Sequence, residues 1–177
     1  MSYDLTLFRI PQSIEAEIAY QELVTRQEDE TADLDSWMKR PVSESARAEM
    51  RRLADTLKLW RPTLEEFHPK SLLPWIELND EDLQIQLEVY EQTVAITLPY
   101  FRERAQEMME CATSCSDILR AAADYTAYDP QLGRVVTTAD VTEMVAEYRR
   151  MDRELPGILR DYNQASTPTK KPWWKVW

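Results

Sequence analysis

Glycine is almost missing from this chain. Of its 177 residues two are glycine, Gly133 and Gly157, far apart in the sequence. Dinucleotide-binding turns and phosphate loops need closely spaced glycines, because backbone must approach phosphate with no Cβ in the way. Two isolated glycines build neither motif, which excludes most nucleotide-binding enzymes. Histidine is scarcer still, with His68 alone in a Pro-flanked stretch, Phe67-His68-Pro69. A Ser-His-Asp, Cys-His or His-rich metal site therefore has one base or ligand to draw on. The two cysteines, Cys111 and Cys115, stand four apart and share a helix face. A zinc site wants further ligands at matched spacing, and the sequence offers none. They read as free thiols packed as small hydrophobes. Asn79, Asp80, Glu81 and Asp82 bunch like a calcium loop but lack its central glycine, so they read as a turn. No cofactor is expected. No apolar run approaches the ~20 residues of a membrane span. The N-terminus shows no basic n-region or apolar h-region of a signal peptide. The expected location is the cytoplasm.

What is present is acid and aromatic. Asp and Glu number 32 against 21 Lys and Arg, a net charge of −11. Nucleic acid, which needs a cationic footprint, is excluded as a partner on average. A basic protein would be steered in, although surface charge also serves solubility alone. Six Trp, eight Tyr and three Phe argue for a packed core. Hydrophobic residues at 44% and charged residues at 30% are ordinary for a globular chain of this length.

Periodicity gives the elements. Tyr3, Leu5 and Leu7 alternate with Asp4 and Thr6, predicting a strand over 3–10 stopped by Pro11. Ser13 is placed to cap a helix through about Gln27, with Ile14, Ile18 and Leu23 on one face. The acidic stretch Glu28–Asp35 reads as a solvated helix end or loop. Ser43 is placed to cap a second helix, in which Ala46, Met50, Leu53, Leu57 and Trp60 share a face. Arg47, Arg51, Arg52 and Lys58 line its other face. Residues 63–74 read as irregular. A short strand is predicted over 75–79, and clean alternation marks strands over 83–90 and 93–100. A hairpin around Glu91-Gln92 would pair Val89 with Val94, Leu87 with Ile96 and Ile85 with Leu98, and a one-residue slip would ruin that register. The alternation implies an antiparallel sheet with one face covered and the other wet or differently covered, the latter showing Gln84, Gln86, Glu88, Thr93 and Thr97. The longest helix is expected over 101–124. A second hairpin is expected around Pro130-Gln131-Leu132-Gly133, then a Thr137–Asp140 capping box and a helix ended by Pro156-Gly157. A short helical piece over 158–164 would follow.

These elements predict an α+β domain over residues 1–165: an antiparallel sheet of about five or six strands with helices packed on one face. Residues 166–177 form a separate tail. It carries Lys170, Lys171, Lys175, Trp173, Trp174 and Trp177 and no acid. Three Trp at the end of a chain are unfavourable in water, so the tail is expected either to fold back over the body or to anchor a partner or a second copy. A membrane-surface role suits Lys with Trp, but the charge of the body opposes it.

The opening Met1-Ser2-Tyr3-Asp4-Leu5, the central hairpin, Tyr128-Asp129-Pro130-Gln131-Leu132-Gly133 and Pro172-Trp173-Trp174 resemble a loose group of small bacterial α+β proteins. Some of that group are immunity-like partners of polymorphic toxins. The resemblance implies a bacterial cytoplasmic binding protein, and it carries no catalytic residues over.

The leading expectation is a non-enzymatic, acidic inhibitor of the immunity or antitoxin kind that occludes a basic partner protein. Its expected contact residues are Asp80, Glu81, Asp82, Glu88 and Glu91 near the hairpin, with Asp129 and Arg134, and Trp173, Trp174 and Trp177 in the tail. Two alternatives stay open. One is a structural or assembly module that forms a homodimer through its aromatic tail. The other is an enzyme using carboxylates and His68.

Overall fold

The computed structural model describes residues 2–11, 14–31, 33–67, 73–99 and 102–165. Seven strands form one antiparallel sheet: β1 (Tyr3–Phe8), β2 (Leu64–Phe67), β3 (Ile76–Asp80), β4 (Ile85–Val89), β5 (Thr93–Leu98), β6 (Thr126–Asp129) and β7 (Arg134–Val135). Their spatial order is β2-β3-β4-β5-β1-β6-β7. The α+β class and antiparallel sheet are as expected, with seven strands rather than five or six. The helices are α1 (Ala16–Thr31), α2 (Leu34–Met38), α3 (Glu44–Trp60), α4 (Ala105–Ala123) and α5 (Val141–Ala165).

The register of the central hairpin is the one its alternation demands. Val89 faces Val94 and Leu87 faces Ile96, and the Tyr90 N–H donates to the Thr93 carbonyl at 2.8 Å across Glu91-Gln92. β1 then lies between β5 and β6, running Tyr3 against Leu98 to Phe8 against Thr93 on one side and Thr6 against Tyr128 on the other. Alternation puts Leu5, Leu7, Leu78, Ile85, Leu87, Val94, Ile96 and Leu98 on one face, all buried. This face is closed by Met50, Leu53 and Leu57 of α3, Met108, Ala112, Cys115 and Leu119 of α4, and Met144 and Tyr148 of α5.

Local chemistry sets the helix ends. The Ser43 hydroxyl accepts from the Ala46 N–H at 3.1 Å and starts α3. The Asp140 carboxylate accepts from the Thr137 N–H at 2.8 Å, closing the capping box ahead of α5. At the far end of α4, Asp124 takes the left-handed conformation with φ 59. The Arg9 Nε donates to the Ala123 carbonyl at 2.7 Å and the Arg52 Nη1 to the Ala122 carbonyl at 3.2 Å. Two cations thus meet the carbonyl end of the α4 dipole.

Four expectations need correction. Residues 63–74 are not irregular throughout, because β2 lies within them. Glu66 hid it: a carboxylate occupies a core-side position, which breaks the apolar alternation. Arg51 of α3 satisfies it with two hydrogen bonds, of 2.6 and 2.9 Å. Pro156-Gly157 does not end the last helix, which continues to Ala165 and at 25 residues is longer than α4. A proline removes one backbone hydrogen bond and strains the turn before it, but does not by itself terminate a helix. Thr93, expected at the wet surface, is 2% exposed. The second sheet face is in fact covered at two corners. Tyr20 of α1 stacks on Tyr128 at 4.4 Å and lies 6.4 Å from Phe8. Trp37 of α2 stacks on Trp75 at 5.2 Å. Finally, Gln84 does not continue a strand: it has φ 53 in the turn between β3 and β4.

A chain this poor in glycine must place side-chain residues where glycine would relieve strain. Gln84→Gly is expected to stabilise by about 0.5 kcal/mol. Gly133, with φ +67 and open space around a built Cβ, should lose about 1 kcal/mol on substitution by Ala from backbone strain alone. Urea-denaturation midpoints of the two variants would check both signs.

Candidate functional site

Between the corners covered by α1 and α2, the second sheet face is built of polar side chains that the described residues leave partly accessible. Glu77 and Glu88 face each other directly across β3 and β4, followed by Asn79 opposite Gln86. Gln86 pairs onward with Thr97, and Thr97 with Asp4. Glu88 is half-buried and accepts from the Tyr90 hydroxyl at 2.9 Å and the Gln86 amide at 3.3 Å. Glu77 accepts from the Asn79 amide at 2.9 Å, and Asp4 from the Ser2 hydroxyl at 2.9 Å. Among the described residues no Lys or Arg pairs with Glu77, Glu88 or Asp4. Burial pushes the Glu88 carboxyl above its usual range, the charges of Glu77 and Asp4 push the same way, and the Tyr90 hydrogen bond only partly offsets them. Like charges directly opposite on neighbouring strands are destabilising.

One end of this face is aromatic. Trp37, Trp75 and Tyr90 form a trio with ring centroids 5.2 to 6.2 Å apart. The Trp75 indole N–H is buried there without an acceptor. A cleft of about 360 Å³ opens beside the trio, lined by Leu23, Arg26, Trp37, Arg40, Tyr90 and Gln92 among others. Arg26 donates to the Gln92 side chain at 3.1 Å.

The residues expected to form one acidic contact surface are spread over the molecule. Asp80 is 1% exposed and internal, which corrects its assignment as a contact residue. It accepts from the Arg61 guanidinium, from the Thr63 hydroxyl at 2.7 Å and from the Leu83 N–H at 2.8 Å. Burial alone would raise its pKa, but those donors and the Arg61 charge together hold it down at about 2. Asp129 is likewise buried, at 0% exposure. It accepts from the Tyr3 hydroxyl and from the N–H groups of Gln131 at 2.8 Å and Leu132 at 3.1 Å. Burial raises its pKa against the pull of those donors. Asp80 was expected within an exposed turn and Asp129 beside a hairpin loop; each in fact ends a strand, is buried, and organises the turn that follows it. Arg134 pairs with Asp140 at 2.9 Å and Glu143 at 2.6 Å. Glu91 is exposed in the β4–β5 turn, at the opposite end of β4 from exposed Glu81 and Asp82. Trp173, Trp174 and Trp177, and His68 of the enzyme reading, lie outside the described residues.

Glu81 and Asp82 do join an acidic surface, with residues the sequence reading passed over. Arg104 binds the Asp82 carboxylate at 3.0 Å, the Asp82 carbonyl at 2.6 Å and Glu107 at 2.9 Å. That clamp sets the β3–β4 turn beside the start of α4. Glu81, Asp82, Glu103, Glu107 and Glu110 are all exposed along this edge. The helical spacing of the last three was readable; their meeting with the turn was not. Next to the edge, burial pushes up the thiols of Cys111 and, more strongly, Cys115.

No protein-family model, curated protein or solved structure matches this chain. Among the described residues no helix is long and apolar enough to cross a membrane.

Glu88→Gln is expected to stabilise the protein at about pH 7 by about 0.5 kcal/mol, by removing one of two facing charges. Because the folded pKa lies above the ordinary 4.5, the unfavourable charge is fully present above that raised value. It fades as pH falls through it toward 4.5. The Tm gap between variant and parent should therefore narrow on acidification; a gap unchanged down to about pH 4 would reject Glu88 ionisation as its source. Asp80→Asn has the opposite sense and should cost about 3 kcal/mol. The Asp80 contribution is present above the ordinary 3.8 and is lost as pH falls through about 2, which denaturation at stepped pH would resolve.

Proposed function

We propose that the chain is a non-enzymatic binding protein of the inhibitor kind, which covers the functional surface of a basic partner such as a toxin. The observation that carries this reading is the exposed edge of Glu81, Asp82, Glu103, Glu107 and Glu110, held together by the Arg104 clamp. Five carboxylates there are opposed by the Arg104 guanidinium and by Arg61 in the adjoining cleft, which is itself paired with Asp80, in a chain of net charge −11. Such a field raises the rate at which a cationic partner arrives and orients it on arrival. Rim charges of this kind set association rate and salt dependence more than final affinity.

Occlusion asks nothing further of the chemistry. A rigid acidic edge backed by α4 lies across the partner's basic site and competes with that site's own anionic substrate or ligand. Asp82 and Glu107 stay anchored by Arg104, while Glu81, Glu103 and Glu110 are exposed to meet incoming Lys or Arg.

The test begins with a basic protein that co-purifies with the tagged chain in equal amount at low salt and is lost at high salt. Its association rate is then measured against a Glu81→Lys, Glu107→Lys, Glu110→Lys variant. At low ionic strength that rate should fall by roughly tenfold or more, and the difference should shrink as salt screens it. Equal rates for parent and variant would remove the acidic edge from the mechanism.

A further inference from the structure

The open sheet face has the charge, the aromatic corner and the spacing to receive this protein's own tail. We propose that it is the docking site for residues 170–177 of a second copy, and that two copies exchange tails to form a dimer. The proposal does not use the acidic edge of α4, which stays free for a partner.

Among the described residues no cation pairs with the two glutamates of this face. Glu77 and Glu88 stand directly opposite each other, half-buried and without a basic partner among the described residues. An ammonium group between them would turn one repulsion into two attractions, in a partly desolvated place where attraction is stronger than at open surface. Two residues farther along the strand direction, Tyr90 brings the aromatic trio and the cleft, with Trp75 left holding an unmet N–H donor. Side chains two residues apart on one face of an extended chain are roughly 6.8 Å apart. A segment laid along this face therefore needs a basic residue and an aromatic residue at positions i and i+2.

The tail carries that pattern twice, as Lys171-Pro172-Trp173 and Lys175-Val176-Trp177, and has no acid to oppose the docking. Pro172 suits an extended segment, since its fixed φ belongs to extended backbone. Arg26 and Arg40 line the cleft, where guanidinium groups can stack on an entering indole.

The course of α5 favours exchange over self-docking. Tyr148 is its last buried side chain before the tail among those described, donating its hydroxyl to the Pro99 carbonyl and lying 5.8 Å from Tyr3. From Arg149 to Glu154 no side chain is fully buried, and only Met151 and Asp152 are partly covered, so the contact between α5 and the body thins along this stretch. At 1.5 Å per residue, Ala165 stands about 25 Å beyond Tyr148. Lys171 lies within roughly 20 Å of Ala165 even when extended, so the first Lys-x-Trp motif is too short to return along the helix to its own face, and Lys175 could retrace that length only as a nearly fully stretched segment of roughly 35 Å. A second copy meets it without doubling back, and reciprocal exchange closes a two-fold dimer.

Complementary charge reversal in the full-length chain tests this. One variant carries Lys171→Glu and Lys175→Glu, the other Glu77→Lys and Glu88→Lys; circular dichroism confirms that each is folded, and Glu77→Gln with Glu88→Gln replaces the second if it is not. By sedimentation velocity the parent is expected to be a dimer, and each variant alone should dissociate at least about tenfold more readily. Mixing the two reversal variants restores the dimer, because every tail then meets a face of opposite charge. If the glutamine replacement is used, its weakening relative to the parent is the supporting result. A parent that is monomeric at all concentrations overturns the exchange. So does a dimer that neither variant weakens, or a mixture of the reversal variants that stays monomeric. None of these results bears on the α4 edge, whose variant leaves tail and face intact.

Discussion

The first strand of the chain becomes an inner strand of the sheet, and the rest of the structure depends on that insertion. β1 is hydrogen-bonded to β5 along its whole length and to β6 over its second half. Its Tyr3 hydroxyl, fully buried, donates to Asp129 across 126 residues of sequence. Without β1 the four-stranded meander of β2 to β5 and the β6–β7 hairpin are separate pieces with bare edges, a liability for any sheet. With it they share one apolar face, broad enough for α3, α4 and α5 to close. The loop-closure entropy of such remote pairing must be met before its contacts form. The dense burial of Leu5 and Leu7 against Val94 and Ile96 is what meets it.

Carboxylates in this molecule fall into three physical situations, and the proposed roles follow the distinction. Asp80 and Asp129 are buried with donors converging on them, so they are part of the architecture. Glu81, Glu103 and Glu110 are exposed along an edge beside the Arg104 clamp, and in the proposed function it is their field that acts. Glu77 and Glu88 are not fully exposed, and among the described residues neither is paired with a cation. A half-buried pair of like charges is a standing cost to the free fold, and proteins keep such costs where a ligand removes them. Under the proposed tail exchange, the stability gained by neutralising Glu88 and the affinity lost by the same change are two views of one interaction.

Much of the fold was legible from periodicity and local chemistry. The central hairpin register followed from the alternation of Ile85, Leu87 and Val89 with Val94, Ile96 and Leu98. The Ser43 cap and the Thr137–Asp140 box were readable because both ends of each interaction lie within one turn. β2 was not legible, because Glu66 is made compatible with the core by Arg51, fifteen residues away in another element. Nor was the covering of the second face: α1 has a weak apolar stripe, and the docking of Tyr20 on Tyr128 is a long-range aromatic contact that no local pattern announces.

The site divides the same way. Residue types and spacings along one element are properties of the chain alone, so the sequence by itself determined the overall acidity, the core faces of β1, β4, β5, α3 and α4, and the Lys-x-Trp pattern of the tail. Which acids meet is a property of three-dimensional neighbourhood. Only the tertiary structure decided that Asp80 and Asp129 turn inward to hold loops, that Glu77 confronts Glu88, and that the β3–β4 turn lies against α4. Cross-strand register and helix docking bring together residues far apart in sequence, and those distances are settled by packing the one shared core, not by any local preference.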